Sequence, residues 1–164
     1  MSPRYVQALY EAYARGHVRS HGKLTMATVQ SRYVLPRETS VEWPDPTDAE
    51  TEVLAGDEAL RRLLIGRLGH AAWGRIAPRL LYLDVPFPPG LLFEDAYSTP
   101  EHVAQIDRVV VLRAQLYGYV ARGGSITRRA RVTREDVENL RALAVRMRSS
   151  HGIGTTPRSC SAYT

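Results

Sequence analysis

The stretch Ser98–Gly124, STPEHVAQIDRVVVLRAQLYGYVARGG, decides the fold reading because two periodicities compete within it. It opens like a helix. Ser98 or Thr99 can cap, Pro100 suits a first turn, and Glu101 faces the positive end of the helix dipole. Val103, Ile106, Val110 and Tyr117 then recur at helical spacing, and Gly123-Gly124 would close a long helix. From Val110 to Val120, however, every second residue is Val, Leu, Ala, Leu, Gly or Val, which is also a continuous strand face. On that alternative Gly123-Gly124 turns a hairpin and Ile126, Ala130 and Val132 face inward on the return strand. The helical reading is preferred. The expected class is therefore mainly α, a single helical domain of four to five helices with a small β-hairpin, and α+β is the alternative.

Outward from this stretch the elements follow the same logic. Residues 3–16 read as an amphipathic helix with Pro3 in its first turn, Val6, Leu9, Tyr10 and Tyr13 on one face, and Gly16 as its stop. Leu24 to Trp43 is rich in β-formers. Val29, Tyr33 and Val34 on one side and Val41 and Trp43 on the other would pair as a hairpin across Pro36–Thr39, while a short helix over 24–33 competes with that reading. Pro44-Asp45-Pro46-Thr47-Asp48 marks a turn. A helix is expected from about 49 to 68 on a stripe of Leu54, Leu60, Leu64 and Leu68, its end weakened by Gly66 and Gly69. A second helical piece over about 71–81 carries Trp73, Ile76 and Leu80, and Pro86, Pro88, Pro89 and Gly90 force an irregular crossing. The last helix starts at Thr133, with Glu135 and Asp136 in its first turn and Val137, Leu140, Ala144 and Met147 as its apolar stripe. Residues 1–150 are expected to form one globular domain, and 151–164 a flexible tail.

A chain of 164 residues with 44% hydrophobic and 24% charged residues has the composition of a globular domain, not of a disordered chain. The lone Cys160 excludes an intramolecular disulfide framework. No window approaches the roughly 18–20 apolar residues of a membrane span, and the start Met1-Ser2-Pro3-Arg4-Tyr5 lacks the apolar run of a signal peptide. The expected location is the cytoplasm, with no membrane partner.

Catalytic and ligand-binding motifs fail on inspection. Gly16-His17-Val18-Arg19-Ser20-His21-Gly22-Lys23 has five residues between its glycines where a phosphate-binding P-loop needs four, and Leu24 stands where a Mg²⁺-binding Ser or Thr belongs. His17 and His21 have a metal-compatible spacing, yet glycines bracket them and no cysteine or acid lies near in sequence. Gly152-Ile153-Gly154-Thr155-Thr156-Pro157 begins like a dinucleotide fingerprint and ends on Pro. Cys160 has no fixed His partner, and Glu94-Asp95 and Asp57-Glu58 read as solvated charges in place of acid–base pairs. The chain is expected to be non-enzymatic, without cofactor or metal. An active site would have to be assembled from His17, His21, His70 or His102 and distant acids.

Charge is where function enters. Arginine supplies 21 of the 22 basic residues, in a chain of net charge +5. Residues 1–37 hold six Lys/Arg against one acid, residues 38–60 hold eight acids and no Lys/Arg, and residues 123–164 hold eight Arg against three acids. Arg128, Arg129, Arg131 and Arg134 form the densest cluster, and guanidinium groups bind phosphate bidentately at any relevant pH. Arg15, Arg19 and Lys23, interleaved with Tyr13 and Tyr33, would supplement them. The expected function is that of a small nucleic-acid-binding accessory protein whose Arg-rich loop and adjoining helix contact phosphates. The alternative is a protein–protein adaptor or assembly subunit. There the basic C-terminal block docks on the acidic 38–60 segment of the same chain, of a second copy in a homo-oligomer, or of an acidic protein partner.

Overall fold

The computed structural model describes residues 1–19, 24–35 and 41–120, together with Thr133, Arg134, Val137, Glu138, Arg141, Ala142 and Val145. In chain order the elements are α1 (Tyr5–Arg19), β1 (Thr25–Val34), a 3₁₀ turn (Pro46–Asp48), β2 (Thr51–Ala55), α2 (Gly56–Leu64), β3 (Arg75–Ile76), α3 (Arg79–Asp84), α4 (Glu94–Ala104) and β4 (Arg108–Val120). The four strands make one mixed sheet in the order β2-β4-β1-β3. β4 runs parallel to β1 and antiparallel to β2, and β3 pairs antiparallel with β1. The class is α+β, which corrects the mainly α expectation.

The correction turns on β4. Val110, Leu112, Ala114 and Leu116 pack against Tyr5, Ala8, Leu9 and Ala12 of α1 on one side of the sheet. Val109 packs with Met26, Leu54, Ala59, Leu63, Leu81, Val103 and Ile106 on the other, where α2, α3 and α4 lie. Only the start of β4, around Val109–Val111, is covered on both faces, and there apolar residues run on without alternation; Leu112 to Leu116 alternate buried and exposed. The parallel pairing starts from a lock: the Leu24 N–H donates to Asp107 Oδ2 at 2.8 Å, and the Asp107 and Arg108 N–H groups donate to Leu24 O at 3.0 and 3.2 Å. Farther along, register shifts flank Gln30: Val29 faces Leu112, Gln30 faces Gln115 and Ser31 faces Tyr117. The extra residues of β4 bulge there and twist the end of the sheet.

Local signals were overridden in several places. Ser98-Thr99-Pro100-Glu101 lies inside α4 and does not open a helix. The Ser98 hydroxyl donates to Pro86 O at 3.1 Å and the Thr99 hydroxyl to His70 O at 2.7 Å, so both side chains tie down loops where a capping role was expected. The helix expected from about 49 to 68 splits: Thr51–Ala55 is strand β2, and only Gly56–Leu64 is helical. The piece expected over 71–81 is replaced by β3 and by α3, whose buried residue is Leu81. β1 confirms the β-forming character of 25–34, yet its partners are β4 and β3; the proposed return strand at Val41 and Trp43 is not a strand. In α1 the buried face is Tyr5, Ala8, Leu9 and Ala12, while Val6 and Tyr10 are exposed. Gly16 does not stop this helix. A Cβ there would stand 2.4 Å from Val110 Cγ2, so the lack of a side chain lets α1 approach the sheet closely at this point. Near the C-terminus Arg134, Val137, Glu138, Arg141, Ala142 and Val145 are helical, and the Val137 N–H donates to Thr133 O at 3.2 Å.

Candidate functional site

Of the predicted phosphate contacts, Arg15 and Arg19 stand one turn apart on α1. Arg15 is exposed, with its guanidinium 3.8 Å from Glu11. Arg134 is helical and almost fully solvated, 3.0 Å from Glu138 one turn on. Lys23, Arg128, Arg129 and Arg131, like His21, Cys160, the Gly123-Gly124 turn and the tail, lie outside the described residues. His17 stacks on Tyr13 at a centroid distance of 5.8 Å. Among the described residues no group of three His, Cys, Asp or Glu could hold a metal ion, and no helix is long and apolar enough to cross a membrane.

The acidic segment has arginine partners drawn from elsewhere than the C-terminal block. Arg4 reaches Asp45 at 2.9 Å. Glu52 is the hub of a network, accepting from Arg62 and from Arg113 at 2.8 Å each. Glu58 accepts from Arg62 at 2.6 Å and from Arg61 at 2.7 and 2.8 Å, and Glu50 approaches Arg113 at 3.9 Å. Hydrogen bonds from Arg61 and Arg62 hold the Glu58 carboxyl down at about 2. Those from Arg113 and Arg62 lower Glu52 likewise. The network binds β2, α2 and β4 together, since its members come from all three.

A second constellation was not visible in the sequence. α2 ends in a left-handed residue, Gly66 at φ 72°. Its N–H donates to Leu63 O at 3.1 Å, and the Arg67 N–H donates to Arg62 O at 2.7 Å, the paired bonds of a Schellman end. That turn directs Arg67 over the sheet. The connection then returns through Gly74, also at positive φ, which is anchored on three sides. Its N–H donates to Tyr5 Oη at 2.9 Å, and its carbonyl accepts from the Val29 N–H at 2.9 Å and the Thr28 hydroxyl at 3.2 Å. This anchoring stacks Trp73 on Tyr117 at 4.4 Å and sets Arg75 beside β1. Between the connection and the sheet lies a cleft of about 400 Å³ lined by Thr28, Gln30, Arg67, Trp73, Arg75 and Gln115, among others. A second cavity of about 500 Å³ shares Gln30 and Gln115 and continues toward Asp45, Glu50 and Arg113.

The cleft is electrostatically unbalanced. The Arg75 guanidinium donates to Gly69 O, and among the described residues no carboxylate lies within ion-pair distance of it. Burial drags its pKa down to about 10, against smaller opposing effects of Tyr82 and the Asp95 carboxylate, so the cation has lost water and has its nearest described counter-charge beyond ion-pair distance. Arg67 makes no side-chain ion pair among the described residues. Beside Arg75, the His70 Nε2 is buried without a hydrogen-bond partner among the described residues. Burial first, and the Arg75 charge second, push that imidazole toward its neutral form. His102 is buried too, its Nε2 2.7 Å from Val85 O, and burial lowers its pKa. Such an arrangement can hold an anion. Arg67 and Arg75 escaped the sequence reading because each is an isolated arginine outside the charge blocks; only the Gly66-Arg67 and Gly74-Arg75 pairs hinted at shaped turns. No protein-family model matches this chain, and no curated protein matches it in sequence.

Proposed function

We propose that the chain is a nucleic-acid-binding accessory protein whose basic C-terminal block, Arg128, Arg129, Arg131 and Arg134, contacts phosphates. The observation that carries this reading is the pairing of the acidic segment. Asp45, Glu50, Glu52 and Glu58 are engaged by Arg4, Arg61, Arg62 and Arg113. The adaptor reading needs the carboxylates of that segment for the C-terminal arginines, and the pairing engages four of its eight acids. The C-terminal excess of eight Arg over three acids suits an external polyanion. Among the described residues Arg134 pairs with Glu138 at the surface, and an exposed pair of that kind yields readily to a phosphate.

Phosphate contacts give affinity without sequence information, so weak sequence preference is expected. The test is fluorescence anisotropy with single-stranded DNA, duplex DNA and RNA from low to physiological salt. Replacing Arg128, Arg129 and Arg131 together with Ala lowers affinity and flattens the log–log salt slope by roughly one unit for each phosphate no longer neutralised. Unchanged affinity and slope in the triple variant would refute the assignment.

A further inference from the structure

We propose that the cleft between the α2–β3 connection and the sheet binds a phosphate monoester, its phosphate held by Arg67 and Arg75. Thr28, Gln30 and Gln115 supply neutral polar partners, and Trp73 forms the wall for the organic part. The inference stands apart from the basic-block reading, because none of its residues belongs to that block.

Three observations meet here. Two guanidiniums line one cleft, and among the described residues neither has a carboxylate partner. This contrasts with Arg61, Arg62 and Arg113, each of which is bound to glutamate. Arg75 uses its guanidinium on a single carbonyl, that of Gly69, so donors of its rigid fork remain for a bidentate oxyanion. A partly desolvated cation whose nearest described carboxylate, Asp95, stays beyond ion-pair distance costs stability, and an entering anion in direct contact relieves that cost. The size of the cleft selects among anions. About 400 Å³ exceeds what a bare inorganic ion fills and lies in the range of small-molecule sites, roughly 300–1,000 Å³. The site is also rigid: Gly74 is fixed by three hydrogen bonds, and Trp73 is held by its stack on Tyr117.

The phosphate has two available sources, a free nucleotide or the terminal phosphate of a strand, and calorimetry separates them. Inorganic phosphate, adenosine 5′-monophosphate, adenosine and a 5′-phosphorylated oligonucleotide are titrated into the full chain at low ionic strength. Saturable binding is expected for the monophosphate, weaker binding for inorganic phosphate, and none for adenosine. Arg67→Ala and Arg75→Met each weaken monophosphate binding by about ten- to a hundredfold, the value of a charge-assisted hydrogen bond. Arg67 is exposed, so its variant keeps the test decisive if Arg75→Met fails to fold. The variant lacking Arg128, Arg129 and Arg131 retains monophosphate binding even if its strand binding is abolished, which keeps failure of the two readings distinguishable. Competition by the phosphorylated oligonucleotide in that variant assigns the phosphate to a strand end, and its absence assigns it to a nucleotide. No saturable binding of either phosphate probe overturns the site, and so does full affinity in the Arg67→Ala variant.

Discussion

Replacing Gly56 with Ala sets local propensity against tertiary packing. Gly56 opens α2, and Ala is a better helix former than Gly by about 1 kcal/mol, so local reasoning expects a gain. The packing reverses the sign. A Cβ on Gly56 would stand 1.8 Å from Ile106 O and 3.0 Å from Ile106 C. These are backbone atoms and cannot rotate away as a side chain does; the Ile106 N–H is itself bonded to Val103 O at 3.1 Å. Relief requires α2 to retreat from the α4–β4 corner, which stretches the Gly56 N–H···Asp107 O bond, now 3.0 Å. Overpacking costs about 1–3 kcal/mol and an orphaned donor about 1–3 kcal/mol, against a propensity gain of about 1. The net loss is about 1–5 kcal/mol. For a chain of this size that lowers Tm by roughly 2–20 °C, measured by circular dichroism or scanning calorimetry. Gly69→Ala is the control, because its Cβ would meet nothing within 4 Å; it is expected to be neutral or slightly stabilising. A Gly56→Ala variant as stable as the parent would refute the close docking of α2 on which the placement of Arg67 depends.

Two pH dependences follow from the shifted groups. Glu58 sits at about 2 in the folded chain, against about 4.3 unfolded. Its stabilisation is fully present above the unfolded value and is lost as pH falls toward 2. Glu58→Gln is therefore expected to flatten the acid limb of a stability–pH curve, and an unchanged limb would count against the Arg61–Glu58–Arg62 geometry. His70 and His102 have lowered pKa values, burial being the main cause. Below about pH 6.5 the unfolded chain takes up protons that these buried rings resist, so stability declines with acidification. NMR titration of the imidazole protons is expected to give midpoints below about 6.5 for both, and a midpoint at or above that value would contradict the burial.

The legible and illegible parts of the fold divide along physical lines. The β-forming run at 25–34 was readable because Val29, Tyr33 and Val34 favour a pleated surface, but its partners were not. Strand pairing is a long-range choice, and β1 joins β4, some eighty residues away, rather than the nearby Val41–Trp43 segment. Residues 108–120 misled because Val109–Val111 at their start are covered on both faces and break the alternation there, and because Val103, Ile106 and Val110 also fit a helical spacing. Ser98 and Thr99 misled because a hydroxyl that can cap a helix can equally bond a distant carbonyl. The strand face from Val110 to Val120, weighed as the alternative, is the one that formed. The candidate cleft was still less legible. Sequence clustering marks arginines that lie together in the chain, whereas Arg67 and Arg75 are singled out because, among the described residues, neither forms an ion pair with a carboxylate.

Composition and charge order belong to the sequence itself. The arginine excess, the acidic segment at 38–60 and the basic block after residue 123 need no fold to exist. The fold decided which charges meet. By setting β2 against β4 it placed Glu50 and Glu52 beside Arg113, and by ending α2 at Gly66 it left Arg67 over the sheet with Arg75. A sequence specifies how many charges of each sign a chain carries. Only packing, which brings residues tens of positions apart within hydrogen-bond reach and strips water from some of them, decides which are neutralised and which remain to bind.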